Sequence, residues 1–479
     1  MNHRISYRLV EIVGTVAFLL YIVLRAIKIP ITHDEAGTIL NFSTQSVWDI
    51  ITYRDPIPNN HLLNTLLIKS FTSIVGLQEW VCRLPNILAG LVYFLFGLRI
   101  FRNLFPSDLW MQFISMLLII ANPYLMEFFS LARGYGLSVG IMMISLYYLI
   151  KANEKDYALA VLFGGISVYA NLTLLNYFIP LVILISLRFI SRPFNRTLVV
   201  RMAMTIFTLA ILLTIPIIKM INTNQFQFWN SNGFYQDTFV PLLRSSIQGK
   251  AYFSQYTELV FSSLIGLAIL LIVIGLIRLL AKGGYKVMYI IPIPFVFIGT
   301  ILYNLLQKWI LHIPYLNART SLFFYTLFIL AICSLLSIIR KKQLKKILYK
   351  IFLIMGVMSA VHIARCYNLK STYEWWYDAD NKEVISVLER DAHLNNKVIS
   401  FKCDWLFQPS MTFYIQGQHR PEIISPPYNK SIDSTDIVDY YLVTSDDMNP
   451  WLLNNYHIEQ AYAWNTRFLM KKNELNRSK

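Results

Sequence analysis

Residues 10–35 have the sequence VEIVGTVAFLLYIVLRAIKIPITHDE, and this stretch decides the fold class. It begins with an apolar run of about 20 residues, the length that crosses the hydrocarbon core of a bilayer as a helix. The run ends in the basic segment RAIKIP, and no small-residue cleavage site follows it. The stretch therefore predicts an uncleaved first transmembrane span rather than a signal peptide.

The composition of the whole chain agrees with a membrane protein. Of its 479 residues, 56% are apolar and 15% are charged, against about 25% charged in an ordinary soluble domain. The mean hydropathy is +0.48. These values exclude a soluble enzyme, a disordered chain and a disulfide scaffold. The net charge of +16 could suit a nucleic acid, but cations also collect in the cytoplasmic loops of membrane proteins, so we expect no nucleic-acid partner.

Further apolar runs follow the first and predict an all-α polytopic membrane protein with about 11 transmembrane helices. The predicted spans lie near residues 10–29, 84–100, 109–122, 134–150, 157–172, 174–188, 202–220, 259–280, 287–306, 321–339 and 348–366. Lys and Arg concentrate in the loops on the side of the N-terminus. The positive-inside rule therefore predicts a cytoplasmic N-terminus and, with eleven spans, a C-terminus outside the plasma (bacterial inner) membrane.

Polar chain accumulates on the predicted outer face. The predicted transmembrane domain covers residues 1–366 and carries the outer-face loops 30–83 and 221–258. Residues 367–479 are predicted to form a small soluble extracytoplasmic α/β domain. Since function on a polytopic protein usually lies where irregular, polar chain accumulates, the outer face is the expected place of the site.

The C-terminal tail, residues 367–479, has sequence patterns typical of both helix and strand. Asp380 with Glu383 three residues later predicts a capping box at the start of a helix. The runs 397–401 and 440–444 are apolar and rich in β-branched and aromatic residues, which predicts two strands, with a third at 467–471.

The first outer loop carries the densest group of ionisable side chains. His33, Asp34 and Glu35 come directly after the first span, and Asp55 and His61 follow in the same loop. Asp34 is a candidate general base or metal ligand, and the alternative is a structural helix cap. His33, His61 and Asp55 are candidates for binding a metal or the substrate, the alternative being interfacial residues with satisfied hydrogen bonds.

Further ionisable groups lie at the predicted outer ends of spans, where such groups are costly and usually functional. Glu127 and Arg133 flank the short connection FFSLA between two spans. Harmless snorkelling to the interface is the alternative for the arginines near span ends. The remaining candidates at these ends are Arg83, Lys308, His312 and Arg319.

The order of these pieces resembles the C-fold (GT-C) membrane glycosyltransferases. The pieces are the acidic pair after the first span, RLP at the second, NPYLMEFFSLARGYGL over residues 122–137, and an arginine before a late span. More narrowly, residues 10–340 are similar to relatives of the protein O-mannosyltransferases and of the aminoarabinose transferases that modify lipid A. Such enzymes take a sugar from a polyprenyl phosphate and act on the outer face.

The resemblance implies roles for individual residues. Asp34 matches the catalytic aspartate of the family's first loop, with Glu35 as its neighbour. His61 stands where members have a His followed by prolines, which are leucines here. Many members have a Glu two residues before the arginine of their ARxY motif, where this chain has Leu131. Arg133 and Tyr135 match the arginine and tyrosine of the ARxY motif, and Arg319 matches the family's late arginine. Glu127, one helical turn before Leu131, is the candidate substitute for the missing Glu.

These roles suit the chemistry of transfer from a polyprenyl-phosphate sugar. The leaving phosphate gains negative charge, which arginine stabilises by binding two oxygens. We therefore assign Arg133, Arg319, Arg83 and Lys308 to the donor phosphate, and Asp34, Glu35 and Glu127 to catalysis. The cofactor is unknown, with a divalent cation left open. The partners are the lipid-linked donor and membrane lipid, the hexosyl or pentosyl group is unspecified, and the oligomeric state is open.

Three other functions compete with this interpretation. A flippase or transporter for lipid-linked sugars requires polar residues deep within spans, and the sequence has few. An oligosaccharide ligase is expected to place its large loop between late spans, whereas here the polar chain lies in the first loop and the tail. A receptor whose tail binds a ligand makes no demand on Asp34 or Arg133.

Overall fold

A computed structural model describes residues 2–151, 153–190, 196–226, 231–425, 432, 437–462 and 465–473. The described residues are mostly helical, 73%, with a small C-terminal sheet. It divides into two compact units. The first unit comprises Met1–Val23, Val47–Leu67 and Arg83–Tyr367, and the second comprises Leu24–Ser46, Ile68–Cys82 and Asn368–Lys479.

Long helices make up most of the chain before the tail. They are Asn2–Lys28, Leu62–Val75, Glu79–Leu104, Leu109–Ile120, Gly134–Lys151, Glu154–Ala170, Leu175–Ile190, Arg196–Asn222, Gln255–Gly283, Pro292–Leu311, Phe323–Ser337 and Lys342–Cys366. Shorter helices and turns connect them: Val47–Ile51, Pro123–Phe128, Leu172–Leu174, Tyr235–Phe239, Val240–Ile247, Gly284–Lys286, Val287–Ile290 and Ala318–Ser321.

Seven helices of the described chain are long and apolar enough to cross a membrane. They are Glu79–Leu104, Gly134–Lys151, Arg196–Asn222, Gln255–Ile290, Pro292–Leu311, Ala318–Ser337 and Lys342–Cys366. An eighth candidate is the pair Glu11–Lys28 and His33–Phe42, which is bent by 75°. The polytopic helical fold is thereby confirmed.

All eleven predicted spans lie on helices, but three of those helices are short. The predicted spans 109–122, 157–172 and 174–188 correspond to helices of 12, 17 and 16 residues. A full crossing takes about 20 residues. These three helices therefore fall below that length, and the sidedness of the chain stays a prediction.

Burial separates central from peripheral helices in the first unit. In the most apolar 18-residue stretch of Gly134–Lys151, 67% is buried, whereas in that of Lys342–Cys366 only 11% is buried. Glycines allow the close packing of the central helix: a Cβ on Gly140 would lie 2.6 Å from the carbonyl oxygen of Ala89. Small residues are the usual means by which membrane helices approach one another. The helix Gly134–Lys151 therefore packs closely against the helix Glu79–Leu104.

The second unit contains a five-stranded mixed sheet. Its strands are β1 (Ile399–Cys403), β2 (Ile423–Ile424), β3 (Tyr440–Thr444), β4 (Tyr456–Tyr462) and β5 (Arg467–Lys472), in the order β2-β1-β3-β5-β4. β1 is parallel to β2 and β3, whereas β5 is antiparallel to β3 and β4. The helical segments of this unit are His33–Gly37, Thr38–Phe42, Trp376–Asp380, Asn381–Asn395, Gln408–Thr412, Phe413–Gly417, Ser445–Asp447 and Pro450–Asn455.

The three predicted strands are present, the first of them two residues later than predicted, at Ile399–Cys403, but the predicted capping box is wrong. The side chain of Asp380 makes no cap hydrogen bond, although the helix Asn381–Asn395 does begin there. Its carboxylate instead accepts a hydrogen bond of 2.5 Å from the guanidinium of Arg467, which is almost fully buried. A buried guanidinium needs a charged partner more than a helix end needs a cap, so the ion pair takes the carboxylate.

Candidate functional site

An irregular segment of the first unit leads into His61. The hydroxyl of Tyr53 lies 3.0 Å from the carbonyl oxygen of Ile57 and 2.9 Å from that of Asn60, to which it donates. The side-chain oxygen of Asn60 accepts from the hydroxyl of Thr65 at 2.9 Å. These bonds hold the segment rigid where the helix Leu62–Val75 begins.

His61 is buried at the start of that helix, and only 6% of it is exposed. Burial, with the positive charges of Arg133 and Arg319, holds the pKa of the imidazole well below its ordinary value. The ring is therefore neutral at pH 7. Within the described residues its Nε2 has no hydrogen-bond partner, and the same holds for the side-chain nitrogen of Asn60. A buried polar atom left open is where a ligand group is expected.

Arg133 lies in the turn between the helices Pro123–Phe128 and Gly134–Lys151. Its guanidinium carbon is 5.7 Å from the ring centroid of Tyr135, and the residue is 1% exposed. Arg319 lies in the turn Ala318–Ser321 and is half-buried. Since both charges act on His61, the structure brings three of the predicted site residues into one cluster, which we call the His61 cluster.

Glycines after Arg133 make room for this cluster. A Cβ on Gly134 would lie 2.4 Å from the carbonyl oxygen of Ala170 and 2.6 Å from the Cβ of His61. A Cβ on Gly136 would lie 2.2 Å from the carbonyl oxygen of Phe128. Neither position accepts a side chain without movement of the backbone.

Glu127, six residues before Arg133, is buried. Its position differs from the prediction. Its helix, Pro123–Phe128, ends one residue later, so Glu127 and Leu131 do not share a helix face, and that argument for Glu127 was wrong. One carboxylate oxygen accepts a hydrogen bond of 3.0 Å from the side chain of Gln248. Its catalytic role remains a prediction.

The other candidates of the first unit occupy different surroundings. Arg83 is fully buried inside the helix Glu79–Leu104, which begins earlier than the span predicted from residue 84. Lys308 is half-buried in the last turn of Pro292–Leu311, and His312 ends that helix, exposed and with φ of 57°. Asp55 is half-buried in the irregular segment.

Asp34 belongs to the second unit and is not a helix cap. The cap of His33–Gly37 is Thr32, whose hydroxyl accepts from the backbone N–H of Glu35 at 3.4 Å. The carboxylate of Glu35 accepts from the backbone N–H of Thr32 at 3.0 Å, and Glu35 is fully buried. The structural reading of Asp34 as a cap was therefore wrong, and Glu35 has the structural role instead. The side chain of Asp34 is half-buried.

His33 is held by the tail. Its backbone N–H donates to the carboxylate of Asp378 at 2.7 Å, and its Nδ1 donates to the carbonyl oxygen of Leu406 at 2.9 Å. Asp378 also accepts from the hydroxyl of Ser410 and the amide of Asn381. Burial raises the pKa of Asp378 to about 7.

No metal site is visible among the described residues, where no three or more His, Cys, Asp or Glu side chains are grouped to hold an ion. The residues that were predicted as metal or substrate ligands are divided between the units: His33 in the second, and Asp55, His61 and His312 in the first. Their alternative role, contact with substrate, stays a prediction.

Sequence comparison finds no matching family model and no matching curated protein. Among solved structures, the chain is similar to ArnT from Cupriavidus metallidurans in the apo state, with 11% identity and a TM-score of 0.49 over 96% of this chain and 97% of that chain. It is similar to the same protein bound to undecaprenyl phosphate, with 10% identity and a TM-score of 0.47 over the same shares. ArnT is a lipid A aminoarabinose transferase, one of the groups that the sequence resembles.

Sequence reasoning missed several residues that shape these sites. Tyr53 and Asn60 orient the segment before His61, and Asp378 holds His33. The sequence around Asp378 has no pattern that predicts its role, because that role depends on a contact with His33, far away in the chain. Tyr53 could have been noticed as an aromatic residue in the loop that contains Pro56 and Pro58.

Proposed function

We propose that this chain is an integral membrane glycosyltransferase. It moves a sugar from a polyprenyl-phosphate donor to a lipid, glycan or protein acceptor on the outer face of the membrane. The observation that carries the proposal is the His61 cluster: the positive charges of Arg133 and Arg319 both lower the pKa of a buried imidazole whose Nε2 has no hydrogen-bond partner among the described residues.

The side chains of the His61 cluster suit a sugar attached to a phosphate. Arg133 and Arg319 supply two planar donors of the kind that bind phosphate oxygens. His61 Nε2 and the side-chain nitrogen of the adjacent Asn60 are buried polar atoms without a hydrogen-bond partner in the part of the chain that the structure describes. Those atoms suit the uncharged oxygens of a sugar, which need directed hydrogen bonds rather than charge.

The reaction itself requires a cation for the leaving group and a base for the acceptor. The acceptor hydroxyl attacks the anomeric carbon, the bond from that carbon to the phosphate oxygen breaks, and its electron pair stays on the phosphate. The proton of the hydroxyl passes to a carboxylate, a role we propose for Asp34. Glu35 is proposed to support Asp34 structurally, through its bond with Thr32.

The test is sugar transfer by purified protein in proteoliposomes that contain a polyprenyl-phosphate donor with a labelled sugar. We expect the wild type to release polyprenyl phosphate, and Arg133→Ala and Arg319→Ala to lower donor use by about 10-fold or more, the weight of a lost charge-assisted contact. Arg→Lys should rescue only in part, because Lys is a point charge.

A matched control is Arg244→Ala, which removes an exposed arginine that pairs with Glu258. It should keep wild-type donor use. A protein that moves the labelled lipid between leaflets without releasing sugar would be a flippase, and one that does neither would be a receptor. Normal kinetics in both Arg133→Ala and Arg319→Ala would contradict the assignment of the donor phosphate to the His61 cluster.

A further inference from the structure

The first helix of the chain ends at Lys28, and a new helix begins at His33 after a bend of 75°. Such a break frees backbone groups, because the last carbonyls and the first N–H groups of helices have no partner within the helix. In this chain, residues of the tail supply partners on both sides of the break. The segment 24–46 and the tail accordingly belong to one compact unit.

On the side before the break, the tail binds the end of the first helix. The ammonium group of Lys382 donates to the carbonyl oxygen of Ile27 at 2.8 Å and to that of Lys28 at 3.3 Å. The guanidinium of Arg25, which is 1% exposed, donates to the carbonyl oxygens of Asn368 and Ser371. Free carbonyls at a helix end are thereby satisfied by a cation, which also suits the negative end of the helix dipole.

On the side after the break, two tail side chains bind the backbone that leads to Asp34. The N–H of Ile31 donates to the hydroxyl of Tyr414 at 2.8 Å. That hydroxyl in turn donates to the carboxylate of Glu79 at 2.6 Å. The N–H of His33 donates to Asp378, one residue before Asp34.

We propose that the C-terminal domain is a positioning element for the Asp34 carboxylate, with Asp378 and Tyr414 as its positioning residues. The inference rests on the proposed function, in which Asp34 is the base. The tail fixes the bend between the two helices by binding the backbone at residues 31 and 33, and so sets the direction in which the side chain of Asp34 leaves the chain. Neither positioning residue needs to touch a substrate.

Both carboxylate oxygens of Asp378 accept hydrogen bonds, which makes its role testable by substitution. One carboxylate oxygen accepts from His33, and the other accepts from Asn381 at 2.9 Å and Ser410 at 2.7 Å. An asparagine of the same shape has one acceptor oxygen, so it must face either His33 or the other two with an NH₂ group. Burial raises the pKa of Asp378, in agreement with a carboxyl held inside the unit rather than at its surface.

The experiment compares two variants with matched controls in the full-length protein. Tyr414→Phe removes the contact with the backbone at 31. Asp378→Asn weakens the hold on the backbone at 33, because its single acceptor oxygen cannot serve both His33 and the pair Asn381 and Ser410. Asp439→Asn removes a carboxylate of the tail that binds Ser400, and Tyr456→Phe removes a tail hydroxyl that binds the carbonyl oxygen of Val438 at 2.8 Å. Both controls disturb the tail without touching the break.

Amide hydrogen exchange of residues 29–37, followed by mass spectrometry in detergent micelles, gives a readout that needs no activity. We expect exchange in Asp378→Asn and Tyr414→Phe to accelerate by about 10-fold, the weight of one hydrogen bond. The controls should exchange as the wild type does. Equal exchange in all proteins, or equal acceleration in the controls, would overturn the proposal.

Turnover gives the second readout. A misplaced base lowers kcat, by about 10²-fold for a displacement near 1 Å, and leaves the KM for the lipid donor unchanged because the donor's own ligands are intact. If exchange accelerates in the two variants but the wild type transfers no sugar, the binding of the backbone at 31 and 33 by the tail is supported and the proposed function is refuted. Accelerated exchange with unchanged kcat would refute the positioning role.

Discussion

The imidazole of His61 packs edge-on against the ring of Tyr135, with 4.8 Å between the ring centroids and 73° between the ring planes. The guanidinium of Arg133 lies over the same ring. Tyr135 is therefore a shared platform that fixes a neutral ring and a cation relative to each other. Aromatic rings make good platforms of this kind, because the edge and the face of the ring carry opposite partial charges.

Asp34→Asn should lower turnover by about 10²–10⁴-fold, the weight of a positioned base, because the amide has the shape of the carboxylate but cannot take the proton. Asp34→Ala should lower it equally. Since Thr32 is the cap of the helix, neither change should lower the melting temperature.

Thr32→Ala is the matched control for Asp34. It should lower stability by about 1 kcal/mol, the weight of a lost N-cap. Turnover and melting temperature of the three variants are to be measured side by side. Normal turnover in Asp34→Asn would end the base hypothesis for this residue.

Gly134→Ala should destabilise the protein by about 1–3 kcal/mol, as overpacking does. The added methyl would lie 2.4 Å from a backbone carbonyl oxygen of Ala170, which cannot move away as a flexible side chain could. Gly266→Ala is the control, because a Cβ there meets nothing within 4 Å on the helix Gln255–Gly283. The control should be neutral or stabilising by up to about 1 kcal/mol. Thermal unfolding in detergent measures both, and equal melting temperatures would contradict the packing described here.

His61 should make the protein less stable in acid. Its pKa is lowered in the folded state, so its contribution to stability is complete above the unfolded pKa of about 6.5 and is lost as the pH falls below that value. Each pH unit in that window lowers the free energy of unfolding by up to about 1.4 kcal/mol. His61→Gln should therefore flatten the fall in melting temperature between pH 7 and pH 5.

His393→Gln, at an exposed histidine of the tail, serves as the control for the acid profile and should keep the wild-type slope. A His61→Gln profile parallel to that of the wild type would show that the imidazole is not held neutral.

The orientation of the chain can be tested directly. The distribution of Lys and Arg predicts that a reporter active only outside the cytoplasm works when it is fused after Lys479. The same reporter fused after Lys341, the residue before the helix Lys342–Cys366 and in a loop predicted to be cytoplasmic, should be silent. The reverse result would overturn the proposed outer-face reaction.

Much of the secondary structure could be predicted because it depends on local patterns. The strand predicted at 440–444 is β3 to the residue, and the one at 467–471 is β5 without its last residue. β4 was missed because most of its side chains are exposed and show no apolar alternation. β2 was missed because it has two residues. The Asp380 cap was mispredicted since its true partner, Arg467, lies 87 positions away.

The candidate site could be predicted in part. Apolar runs begin just after Arg133 and Arg319, and charge at a span end is a local signal of function. That both charges act on one buried imidazole could not be foreseen, because the three residues come from separate parts of the chain. The cap role of Thr32 was also missed, although Thr32 and Glu35 have the spacing of a capping box.

The sequence by itself determined that this is a polytopic helical protein with a small mixed domain at its end, because hydropathy and periodicity act over neighbouring residues. Only the tertiary structure decided that segments of the first loop join the tail, and that Tyr414 and Asp378 bind the backbone at 31 and 33. The physical reason is that a helix break leaves backbone groups that require partners, and the identity of the partner depends on which distant chain folds against the break.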